Sequence, residues 1–193
     1  MASKQDNSGR ILSVSEKAAA HRFVADPRVH VGHVHLKVAD LQRALEFYSG
    51  VLGLQVTQRY GQGAVFLSAG GYHHHIALNT WESLGGSPSP PESTGLYHTA
   101  IVYPSRAALA TALRRVLAAG IRLQGAADHG VSESIYLNDP DDNGVELYCD
   151  KPKEKWPRGK IGELEMYTRP LDLHELLKEQ PEGTPTSSGP KDL

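Results

Sequence analysis

Apolar and polar residues alternate from His33 in "HVHLKV", and the spacing then becomes helical. The alternation predicts a strand. Leu41, Ala44, Leu45 and Tyr48 follow on one face of a helix, with Asp40 as its N-cap. Gly53 stops that helix, "LQVTQRY" restarts a strand, and "AVFLSAG" and "HHHIALN" supply two more. The same order returns from His98. There "HTAIVY" predicts a strand, Ser105 caps a helix that runs through Leu113 and Val116, and Gly120 stops it. Further strands end in "SESIYLND" and "GVELYCD". The pattern is βαβββ written twice, each copy opened by a histidine. Weak identity with strong order is how a structural duplication reads.

The remaining segments arrange themselves around this core. Residues 1–27 read as a polar lead-in with a short helical patch around Val14 to Phe23. The first module spans 28–82, a linker within "ESLGGSPSPPESTG" spans 83–95, and the second module spans 96–152. Residues 153–193 form a C-terminal extension. In it "RPLDLHELL", Arg169 to Leu177, predicts a short helix capped by Asp172, and the composition predicts disorder from about residue 178. The fold class is α+β.

Composition narrows the function only by exclusion. A hydrophobic content of 39% is enough for a core, and a net charge of −2 gives no electrostatic sign of nucleic-acid or membrane binding. No apolar run approaches the ~20 residues that span a bilayer, and no secretory signal is read. With Cys149 as the sole cysteine, an intrachain disulfide and a cysteine-based zinc site are both excluded. A cytoplasmic enzyme or small-molecule-binding protein is expected.

The histidines carry the chemistry. His33 and His35 share one face of a strand, and His98 heads the matching strand of the second copy. Glu146 lies in the last core strand between apolar Val145 and Leu147, where a buried carboxylate needs a cation or several donors. Two histidines and one carboxylate make the facial triad of non-haem Fe(II) oxygenases. A histidine at a strand end is more often a satisfied structural residue, and Glu more often faces solvent. Spacing alone does not decide between these readings.

"HVHLKVADLQRALEFYSGVLGL", "HHHIALNTW" and "DHGVSESIYLNDPDDNGVELY" together resemble the vicinal oxygen chelate superfamily, and within it the extradiol dioxygenases of the catechol 2,3-dioxygenase type. The likeness covers roughly Val29 to Pro152. It implies two tandem βαβββ modules whose strands curl into a common, partly open mixed β-barrel with a metal inside.

Carried over residue by residue, the resemblance implies His33, His98 and Glu146 as ligands of Fe(II), with Mn(II) suiting the same set. It implies Tyr136, ten residues before the glutamate, as the hydrogen-bond partner of the substrate oxygen. His74 in "HHHIAL" is implied on the oxygen side of the metal, and His129 as the base toward a catechol hydroxyl. The loop that carries His129 is shorter than the family pattern. His35 is expected to face substrate. His73 and His75 are expected opposite His74 in a regular strand, and a bulge would shift that assignment by one. "NDPDDNG" is read as turn chemistry alone.

The implied reaction is extradiol cleavage of a catechol-type ring with O2. Two rivals share the fold. A glyoxalase-like isomerase or lyase would need a fourth ligand, a Glu closing the first module, and "HHHIALNTW" contains no acidic residue. A non-catalytic binding protein would not need the histidines and glutamate retained here. A homo-oligomer is allowed, and the sequence leaves its order open.

Overall fold

The computed structural model describes residues 23–180. The helical patch expected from Val14 falls, but for Phe23, outside the described residues, as does the expected disordered tail beyond residue 180. Residues 23–32 belong to a unit separate from the rest. Within it Arg28 donates to the Asp26 carboxylate, which that pairing lowers to about 2.

The larger unit begins at His33. Its first module runs β1 (Val34–Lys37), α1 (Leu41–Leu45), β2 (Gln55–Tyr60), β3 (Ala64–Ser68) and β4 (Ile76–Asn79). Asp40 caps α1 by accepting from the Gln42 and Arg43 amides, and the helix widens into π-type turns over Glu46–Val51. Gly53 adopts φ +84°, which lets the chain leave the helix and start β2. The second module runs β5 (Thr99–Val102), α2 (Arg106–Ala118), β6 (Leu123–Asp128), β7 (Ser132–Asn138) and β8 (Gly144–Asp150). Ser105 caps α2 through the Ala108 amide. The extension adds β9 (Arg169–Pro170) and α3 (Leu173–Leu177), which Asp172 caps as its sequence predicts.

Both modules have one topology. The first sheet is ordered β1-β4-β3-β2 and the second β5-β8-β7-β6, extended by β9. In each, the first and last core strands pair in parallel and the others are antiparallel. The two sheets, of four and five strands, stay separate and form no closed barrel. The expected α+β fold of two tandem βαβββ modules, partly open and not a closed barrel, is what the chain adopts. β1 and β5 each end a sheet.

What joins the modules is a shared core on the helix-bearing faces. Leu36, Val38, Val65, Leu67, Ile76 and Leu78 of the first sheet pack in one cluster with Ile135, Leu137, Val145 and Leu147 of the second. Leu45, Phe47, Tyr48, Leu109, Leu113 and Val116 of the helices fill it. Burying such side chains contributes roughly 1.5–3 kcal/mol each. The "NDPDDNG" turn proves to be more than a turn. Tyr48, fully buried, donates its hydroxyl to Asp139 at 3.0 Å, and Arg43 pairs with Asp141 at 2.6 Å. Burial pushes the Asp139 carboxyl above its ordinary range. The Asp141 and Asn143 amides donate to its other oxygen, so the β7–β8 turn is locked against the first module.

Candidate functional site

Period-two alternation settles which side chains leave the core. In β8, Val145 and Leu147 face it, so Glu146 projects from the opposite face. Its register partners Ala100 on β5 and Tyr136 on β7 share that face. Glu146 thus sits between two strands, with His98 entering just ahead of β5.

The second module gathers four of the expected residues. His98 Nε2 lies 2.9 Å from Glu146 Oε2. Tyr136 donates its hydroxyl to Glu146 Oε1 at 3.2 Å, and His129 Nε2 stands 2.7 Å from the same hydroxyl. The result is a continuous line, His129–Tyr136–Glu146–His98. Burial pushes the Tyr136 phenol up, and the neighbouring Glu146 carboxylate adds to the effect. A cavity of about 380 Å³, lined by Tyr97, His98, Gly125, Tyr136 and Gly144 among others, opens beside this line. That is the scale of a small-molecule pocket.

Two features missed in the sequence hold this arrangement. Gly144 is needed because a Cβ there would meet the Tyr97 carbonyl oxygen at 2.2 Å, so only glycine lets the chain before β5 run this close to β8. The C-terminal extension holds His129. Its Nδ1 lies 3.2 Å from the Tyr167 carbonyl oxygen and 3.2 Å from Thr168 Oγ1, and the Tyr167 amide donates to the His129 carbonyl. Gly130, at φ +80°, sits where a side chain would strike Pro157 and Tyr167. Only the glycine at the "NG" turn and the one after His129 hint at this in the sequence.

The first module gathers the others. The three consecutive histidines precede β4 rather than lie in it, so strand alternation does not apply to them. His74 packs its ring 4.3 Å from that of His33 and 5.0 Å from Phe66. His73 Nδ1 stands 2.8 Å from His74 Nδ1. Burial, then the neighbouring imidazoles of His33 and His73, lower the His74 pKa. His75 turns to Ser68, its Nδ1 3.0 Å from the hydroxyl, and so has a structural partner. His35 takes a hydrogen bond from Asn79 Nδ2 at 2.9 Å and packs edge-on to Trp81.

The two groups stand on different sheets. His33 belongs to the first sheet, and His98 and Glu146 to the second. Among the described residues no three of His, Cys, Asp and Glu stand together so as to hold a metal ion. The expected residues thus form two groups, one on each sheet.

Residues 30–147, more than half the chain, match the family described as the Glyoxalase/Bleomycin resistance protein/Dioxygenase superfamily. The chain belongs to that superfamily. Among relatives in it, the catechol-2,3-dioxygenase of Bacillus subtilis (strain 168) is 38% identical over 159 residues, covering 82% of this chain and 54% of that protein. A biphenyl-2,3-diol 1,2-dioxygenase of Rhodococcus globerulus is 32% identical over 120 residues, covering 62% of this chain and 63% of that one. The chain thus spans between half and two thirds of the length of these curated relatives. Of solved structures, a glyoxalase/dioxygenase from Nostoc punctiforme superposes with TM-score 0.55 at 22% identity, over 68% of this chain and 99% of that one. A lactoylglutathione lyase from Agrobacterium tumefaciens gives TM-score 0.50 at 21% identity, over 64% and 96%. These structures share the superfamily fold. The vicinal oxygen chelate resemblance read from the motifs is thereby established.

Proposed function

We propose that this superfamily member is an extradiol dioxygenase. It opens a catechol-type ring with O2 at a mononuclear Fe(II) centre that draws its ligands from His33, His98 and Glu146. The observation that carries the reading is the hydrogen-bonded line from His129 through Tyr136 to Glu146. The dioxygenases among its relatives support the substrate class.

The donor set suits the ion in chemistry, with His98 and Glu146 on one sheet and His33 on the other. His98 and Glu146, 2.9 Å apart, are the two side chains that would hold the ion together from the second module. Imidazole and carboxylate both suit Fe(II) and Mn(II). His33 would supply the third donor. When bound, iron supplies the electron transfer between ring and oxygen.

The protein's own part is proton control. Tyr136 has one hydroxyl proton, and it has two neighbours competing for that proton. With the proton directed to Glu146, His129 donates through Nε2 to the phenol oxygen. Its two ring nitrogens face the Tyr167 carbonyl and the Tyr136 hydroxyl, which fixes the ring in place. A base so fixed is positioned to take a proton from a substrate hydroxyl, with Tyr136 as the relay. His74, whose pKa is lowered by burial and by the neighbouring imidazoles, is assigned to the oxygen side. His35 and Trp81 border the first-sheet group as substrate-facing side chains.

The test is direct. Protein loaded anaerobically with Fe(II) is mixed with catechol near neutral pH, and oxygen is admitted. A yellow ring-opened product that Glu146→Ala and His98→Ala abolish is the expected result. Absence of both colour and oxygen uptake across a panel of substituted catechols would overturn the reading.

A further inference from the structure

We propose that His73 is a positioning residue for His74: it donates its Nδ1–H to His74 Nδ1 and so holds the His74 proton on Nε2. The inference rests on the dioxygenase reading, which sets His74 on the oxygen side, and adds what keeps that ring ready to donate.

The distance between the two rings requires a shared proton. His73 Nδ1 and His74 Nδ1 stand 2.8 Å apart. Two bare lone pairs do not face each other so closely, and two N–H groups cannot both point into one gap. One ring therefore carries Nδ1–H and the other accepts. A neutral acceptor ring has its own proton on Nε2.

Only one of the two orders leaves His74 a donor. With His73 donating, His74 presents Nε2–H, the form that can hydrogen-bond to reduced oxygen and hand it a proton. With the order reversed, His74 presents a lone pair there. His73 is exposed, whereas His74 is half-buried with its ring against those of His33 and Phe66. Water can serve the lone pair left on His73 Nε2, so the donor role costs that ring nothing.

His73 is itself held from two sides. The register of β2 against β3 shifts between Val56 and Gln58, which leaves Thr57 bulged out of the ladder. A bulge re-aims a side chain. The Thr57 hydroxyl lies 2.8 Å from the His73 carbonyl oxygen and 3.2 Å from that of Phe66. On the other side, Tyr72 stacks its ring 4.1 Å from His73 and 4.9 Å from His75. His75 is in turn tied to Ser68. The first and last histidines of the triplet thus frame the middle one, and the middle one faces the chemistry.

NMR of the nitrogen-labelled, metal-free protein reads the tautomers directly. Long-range proton–nitrogen spectra are recorded at about pH 8, where an ordinary imidazole is neutral. Signals are assigned by their loss in His74→Gln and His73→Asn. Wild type should show His74 as the Nε2–H form and His73 as the Nδ1–H form. His73→Leu should turn His74 into a mixture of both forms. His73→Asn, whose amide donates from a similar place, should restore the Nε2–H form. Thr57→Val should move His74 toward the mixture without touching either ring, and it replaces His73→Leu if that chain folds poorly. His74 carrying Nδ1–H in wild type overturns the proposal, and so does a His74 tautomer that both variants leave unchanged.

Turnover gives the second readout. In Fe(II)-loaded protein, His73→Leu should lower kcat toward catechol by ~10–100-fold, the usual cost of losing a group that orients a functional histidine. KM should stay as in wild type, and His73→Asn should recover most of the loss. A loss that His73→Asn does not recover overturns the positioning role. Wild-type protein that shows the expected tautomers and leaves catechols untouched overturns only the dioxygenase reading.

Discussion

His129 Nε2 stands 2.7 Å from the Tyr136 hydroxyl while its Nδ1 faces the Tyr167 carbonyl from 38 residues further along the chain. The ring is gripped at both ends. One grip comes from the neighbouring strand of its own sheet, the other from the extension after the second module.

That grip predicts a specific catalytic loss. His129→Ala should lower kcat toward catechol by ~10²–10⁴-fold, the usual worth of a positioned acid or base. Fe(II) binding should stay as in wild type, because His129 touches Tyr136 and not the ligand pair. Stopped-flow turnover beside equilibrium dialysis separates the two. Loss of both together would make His129 part of the metal site.

Gly144→Ala should damage the proposed metal site by backbone crowding. Its Cβ would meet the Tyr97 carbonyl oxygen at 2.2 Å, so β5 must move away from β8 and carry His98 from Glu146. Overpacking of this kind costs typically 1–3 kcal/mol. Urea denaturation should show that loss, and Fe(II) affinity should fall with it. Unchanged affinity would mean that the strand yields without moving His98.

Tyr48→Phe removes the buried donor between the modules. The Asp139 oxygen it serves keeps a bond from Asn143 Nδ2, so the expected cost is about 1–3 kcal/mol and not the collapse of the turn. Equilibrium unfolding measures it. A value near zero would show that the Asn143 amide satisfies Asp139 without help.

The turn that carries His129 should weaken in acid. Burial pushes the Asp128 carboxyl up, but Lys151 at 2.6 Å and the Gly130 amide outweigh it and hold the pKa below its ordinary 3.8. A depressed pKa stabilises the fold fully above the unfolded value, and the contribution is lost as pH falls through the folded one. Wild-type protein should therefore melt higher than Asp128→Asn at pH 7. The gap should close as pH falls below about 3.8. A gap that persists at the lowest pH would assign the difference to shape rather than charge.

Local signals carried far in this chain. Asp40, Ser105 and Asp172 cap the helices that their spacing predicts, because a cap needs only the amides two or three residues on. Gly53 and Gly120 stop their helices at positive φ for an equally local reason. The histidine triplet was less legible. A tight approach to β4 begins at Gly70, and the strand takes shape only at Ile76, so the alternation expected of "HHHIALN" starts too late to sort its histidines.

The sequence by itself determined the two βαβββ modules, their shared strand order and the chemistry of the candidate residues. All of these follow from spacing and side-chain type within a few dozen residues. Tertiary structure alone decided that the two sheets pack on one core, with His33 before the first sheet's edge strand and His98 and Glu146 on the second sheet. It also decided that Tyr167 and Thr168 hold His129. These are outcomes of packing between distant segments: whether apolar faces close on a shared core or around a common barrel depends on how whole modules fit. The same alternating pattern buries its apolar face in either arrangement.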